Sequence, residues 1–143
     1  MPYLCLDCYE VYNMNLPYCP KPSCNGHIIE VDELMLATIM LLNEKGYCTQ
    51  FCCSGHIYDY ASPYVLFDKF FSEILEDMKM DPEETFDNLP EPWKIENKDS
   101  YGRICLRCNI ERSKNVAKLQ KDICNANMKL LSYVKKLPSL FDE

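Results

Sequence analysis

Two cysteine pairs and one six-residue run hold the reactive atoms of this 143-residue chain. Cys5-Leu6-Asp7-Cys8 is a C-x2-C pair, and Cys19-Pro20-Lys21-Pro22-Ser23-Cys24 is a C-x4-C pair that follows a ten-residue spacer. Structural zinc takes four ligands in a closed tetrahedron, and two short turns that each give two thiolates satisfy it with little other core. Pro20, Pro22 and Asn25-Gly26 supply turn chemistry around the second pair. The spacing predicts zinc on Cys5, Cys8, Cys19 and Cys24, with His27 as an alternative ligand beside the longer second turn.

The run Phe51-Cys52-Cys53-Ser54-Gly55-His56 admits several chemistries. In an unbroken strand Cys48, Gln50 and Cys52 share one face, while Tyr47, Thr49, Phe51 and Cys53 share the other, so only one of the adjacent thiols faces a pocket easily. Cys53 and His56 could meet across the Ser54-Gly55 turn as a nucleophile and its base. Cys52, Cys53, His56 and one of Cys105 or Cys108 could hold a second metal. Plain structural use, with His56 hydrogen-bonded at a strand end, is a third reading. Ligand binding leads: beside Cys53, the residues Ser54, Gly55 and His56 offer backbone N–H groups, a hydroxyl and a ring donor suited to a phosphate or carboxylate. Arg103 and Arg107, read as one face of a later strand, would complete that anion site.

The elements that must position these groups follow from periodicity and punctuation. Tyr9–Tyr12 and His27–Val31 are strand-like flanks of the cysteine turns. Asp32 opens an apolar helix closed by Lys45 and Gly46, a left-handed stop. Strands are expected over 47–53 and 62–67, a helix near 68–79, a short helix opening at Asp81-Pro82, and a hairpin joining 93–96 to 103–107. A long helix from about 113 to 137 has apolar positions Val116, Leu119, Ile123, Ala126, Leu130, Tyr133 and Leu137 at alternating spacings of three and four. That stripe suits packing on a sheet, and it also permits a homodimeric helix seam.

Composition bounds the class. Apolar residues make up 48% of the chain and aromatic residues 12%, which favours a folded globule over a disordered one. The N-terminal MPYLCLDCYE lacks the basic and apolar regions of a secretory signal, and no apolar run approaches a membrane span. Ten cysteines in that context suit a reducing, cytoplasmic location. The net charge of −7 is unevenly spread. Residues 31–96 carry 14 acids against four lysines, and residues 97–137 carry ten Lys and Arg against three acids. Indiscriminate nucleic-acid binding by the whole chain is disfavoured.

Residues 3–30 resemble a zinc ribbon, although the second knuckle is longer than its common two-residue spacing. The run Gly46–His56, after a helix ending in Leu-Asn-Glu-Lys, resembles small uncharacterised zinc-ribbon proteins of bacteria and their phages. Thr49 through Ile57 is similar to the Cys-Ser-Gly-Arg-Ile signature of the wybutosine-synthesis tRNA methyltransferase family, with His56 in place of the arginine. That second resemblance would imply methyl transfer from S-adenosylmethionine.

The expected fold is α+β. A four-cysteine zinc ribbon at 1–30 precedes a domain at 31–143, where a small antiparallel sheet packs with a buried helix and the long C-terminal helix. The leading functional expectation is a non-enzymatic zinc protein recognising a small anionic or nucleotide-like ligand near Cys53–His56. The alternatives are a tRNA-modifying enzyme and an adaptor that reaches a protein partner through the ribbon or the final helix.

Overall fold

The computed structural model describes residues 2–55, 62–96, 99–111 and 113–141. Three short antiparallel strands, β1 (Tyr3–Cys5), β2 (Val11–Tyr12) and β3 (Ile28–Glu30), lie in the order β2-β1-β3 and carry the cysteine turns at their ends. Leu4 of β1 sits opposite both Val11 and Ile29 and is fully buried. β2 and β3 coincide with the expected flanks. β1 has no counterpart in the sequence reading, because three residues are too few for an alternation to register.

A 3-10 turn at Glu33–Met35 leads into α1 (Leu36–Glu44). Asp32 occupies the N-terminal boundary, but its carboxylate caps nothing there. It turns instead to Ser54, accepting from the backbone N–H at 2.8 Å and the hydroxyl at 2.9 Å. Gly46 closes the helix at φ +96°, the left-handed stop that its sequence position predicts.

A second antiparallel sheet runs β4 (Thr49–Cys53), β5 (Tyr64–Phe67), β7 (Cys105–Cys108), β6 (Trp93–Glu96). Its register fixes two faces. Cys52, Val65, Leu106 and Ile95 line up on the core side, and Cys53, Tyr64, Arg107 and Lys94 line up on the other. The expectation that Thr49, Phe51 and Cys53 share a face fails at a β-bulge between Thr49 and Phe51. Gln50 is the extra residue, and it shifts the alternation by one. Thr49 therefore points to the core with Cys52, and Phe51 is 56% exposed.

Three further helices cover the core: α2 (Lys69–Asp77), α3 (Pro82–Thr85) and α4 (Val116–Lys136). Asp68 caps α2, Asp81 caps α3 with proline at the first turn, and Asn115 caps α4. α4 begins three residues after the expected start, because Ser113 serves the turn before the cap, accepting from Asn115 N–H. Leu119, Ile123, Ala126, Leu130, Val134 and Leu137 are buried beneath it, so most of the heptad stripe is spent on the chain's own core. Phe67, Phe71, Phe86 and Tyr47 form the aromatic centre, with ring centroids between 4.8 and 6.0 Å apart. No described helix is long and apolar enough to cross a membrane.

Candidate metal centre

β1 ends on Cys5, and the chain turns back at once, with Tyr9 N–H donating to Cys5 carbonyl at 3.0 Å and Tyr9 in the left-handed region at φ 63°. That turn brings Cys8 to the same side as Cys5. The second knuckle closes by Cys24 N–H donating to Lys21 carbonyl at 3.1 Å, with Ser23 and Asn25 also at positive φ. The knuckles are joined by Leu6 N–H donating to His27 carbonyl, and Cys19 N–H donating to Gly26 carbonyl spans the second, both at 3.0 Å.

The four sulfur atoms all lie within 4.8 Å of one another. Cys5 and Cys24 are 3.6 Å apart across the knuckles, and Cys8 and Cys19 are 3.7 Å apart. Zinc–thiolate bonds of about 2.3 Å in a tetrahedron place sulfurs about 3.8 Å apart, close to these two separations. Cys5 and Cys19 are buried, and Cys8 and Cys24 are partly exposed. His27 points to solvent and is not part of the cluster, which is complete without it.

Two supporting residues escaped the sequence reading. Gly26 leaves no room for a side chain: a Cβ there would stand 2.5 Å from Cys5 Sγ and 2.7 Å from Asp7 Oδ2. The Asn-Gly dipeptide signalled a turn but not this close approach. Tyr12 puts its hydroxyl 3.2 Å from Cys19 Sγ. A hydroxyl donating to a thiolate stabilises the charged form, and it holds Cys19 down at about 6. Burial pushes Cys24 up to about 12. Thiols this close repel as anions, and a bound dication removes that conflict.

The other candidate residues are placed as follows. Ser54 is buried, its N–H and hydroxyl are taken by Asp32, and its carbonyl accepts from Asn127 Nδ2 at 3.0 Å. Gly55, at φ +100°, directs its N–H at Cys53 Sγ, 3.3 Å away. His56 lies outside the described residues. Arg103 precedes β7 rather than sharing its face: it pairs with Asp99 at 2.9 Å, donates to Gln50 Oε1 at 3.0 Å and stacks on Tyr101. Arg107 pairs with Glu96 at 2.6 Å and lies over Tyr64. The two arginines thus sit in separate surroundings, each with its own carboxylate.

A second metal group does not assemble among the described residues. β5 separates β4 from β7, and the register puts Cys52 and Cys108 on one face with Cys53 and Cys105 on the other. Burial pushes Cys52 up to about 12, and Cys105 and Cys108 up to about 11, which keeps these thiols protonated and poorly nucleophilic. No family model, curated protein or solved structure matches the chain.

Proposed function

We propose that the chain is a non-enzymatic binding protein whose ribbon is organised by one structural zinc ion. The observation that carries this reading is the four-sulfur cluster with tetrahedral spacing. Four protein thiolates fill the coordination sphere, which leaves no position for a substrate or an activated water. Zinc here would supply folding energy, on the order of 10 kcal/mol for small zinc modules near neutral pH. Its role is to hold two turns that have almost no core of their own.

The donors of the Ser54–Gly55 turn are taken within the chain, Ser54 by Asp32 and the Gly55 N–H by Cys53 Sγ. An external anion near His56 would have to compete with those contacts at an effective concentration set by the fold. The methyl-transfer reading rests on the same segment, where Ser54 instead ties Asp32 to Asn127. Structural use of Cys53, Ser54 and Gly55 accounts for these contacts.

Elemental analysis of protein purified without added metal tests the proposal. One zinc per chain is expected, falling towards zero in Cys5→Ser/Cys24→Ser. A metal-free, folded native protein would overturn it.

A further inference from the structure

A groove of about 910 Å³ runs between α4 and the segment carrying α3. Its floor is apolar, formed by Tyr47, Met80 and Leu137. One wall is α4, which presents Lys129 and Lys136, and the facing wall presents Glu84 and Asp87. All four charged residues are exposed. Among the described residues no ion pair crosses the groove; the pairs are Lys21–Glu10, Arg103–Asp99 and Arg107–Glu96. Lys129 donates to the Glu91 carbonyl at 3.3 Å.

The walls are fixed in place. Tyr133 of α4 donates its hydroxyl to the Asp87 carbonyl at 2.8 Å, which sets the width. Tyr47 donates to the Pro138 carbonyl at 2.7 Å, and Lys45 donates to the carbonyls of Val134, Lys135 and Leu137. Phe86 and Thr85, behind the acidic wall, are buried. A preformed groove spends little free energy on closing around a ligand.

We propose that this groove binds a short peptide with both ends free, its ammonium towards Glu84 and Asp87 and its carboxylate towards Lys129 and Lys136. The volume falls within the range of small-ligand sites, about 300–1,000 Å³. Charge complementarity selects the class. A ligand of one sign meets a like-signed wall, and an uncharged one leaves both walls unanswered, whereas a zwitterion with an apolar body satisfies walls and floor together. This inference rests on the reading of the chain as a binding protein.

The test is a nitrogen-15 chemical-shift titration of the full, zinc-loaded chain with the tripeptide Leu-Phe-Leu. Three comparison peptides carry an acetylated N-terminus, an amidated C-terminus or both. The free tripeptide is expected to shift amides around Met80, Glu84 and Lys136, and blocking either end should weaken binding at least tenfold. Lys136→Glu should remove the preference for a free carboxylate, and Glu84→Lys the preference for a free ammonium. Both positions are exposed, so the variants should fold. No shift at millimolar peptide, or equal shifts for free and blocked forms, overturns the inference while a zinc-replete spectrum leaves the wider reading standing. A chain that holds no zinc overturns the zinc reading alone, because the groove is lined entirely by residues outside the ribbon.

Discussion

Gly26 is where the metal centre tolerates least change, since its Cα hydrogens face the Cys5 sulfur and the Asp7 carboxylate. A methyl at 2.5 Å from sulfur must displace either the knuckle or the ligand. Gly26→Ala is therefore expected to cost about 1–3 kcal/mol of ribbon stability and to accelerate zinc loss to a chromophoric chelator by tenfold or more. An unchanged zinc off-rate would refute the close approach. The clustering of the four cysteines was legible at this scale because thiol spacing encodes it directly. Its support was not: Tyr12 lies seven positions from Cys19, and nothing in a tyrosine within a strand pattern announces a hydroxyl 3.2 Å from a thiol. Asp32 misled for a related reason. Its position before a helix signals a cap, but the buried Ser54 donors 22 residues away offer two hydrogen bonds, and the carboxylate takes those.

At the scale of elements, the long-range partner of one lysine decides how α4 ends. Position 45 suits a lysine at the close of α1, but its ammonium crosses to α4 and donates to three carbonyls there, at 2.7, 3.0 and 2.7 Å. Terminal carbonyls of a helix lack intrahelical partners and carry its negative end, so a cation supplies both hydrogen bonds and charge. Lys45→Met should keep the aliphatic packing while removing all three of these hydrogen bonds, with the Val134 carbonyl retaining its bond from the Leu137 N–H. The expected loss is about 2 kcal/mol, read as a fall in melting temperature of about 6 °C for a chain of this length. Frayed amides at 134–137 in hydrogen exchange should accompany it, and unchanged protection there would refute the capping role. Periodicity revealed α4 and its buried stripe. Neither the order β4-β5-β7-β6 nor the Gln50 bulge was legible, because strand neighbours and register depend on pairings that no local pattern specifies.

At the scale of the whole molecule, the cysteine-bearing strands and the rest of the chain meet in one hydrophobic core, and Leu4 lies at that seam. Leu4 lies in β1 of the ribbon yet belongs to one hydrophobic cluster with Val31, Met35, Leu106 and Leu130. On the proposed reading the ribbon would be stabilised from two sides, by zinc at its turns and by the larger core at its base. On that reading, loss of the metal would leave residues 2–30 with little to hold their turns, whereas α4 and the aromatic centre would keep their contacts. Leu4 nonetheless leaves the core when β1 melts, at a cost of about 2 kcal/mol in lost apolar burial. Excess chelator is therefore expected to abolish amide protection across the ribbon, to leave most of the α4 signal in far-ultraviolet circular dichroism, and to lower the melting temperature of the remainder by about 6 °C. Loss of helical signal together with the ribbon would mean that the chain folds as a single cooperative unit. An unchanged melting temperature would mean that Leu4 contributes nothing across the seam. The expected middle outcome follows from the core that Leu4, fully shielded from water, shares with the rest of the chain, with Leu6, Tyr9 and Ile29 packed against it.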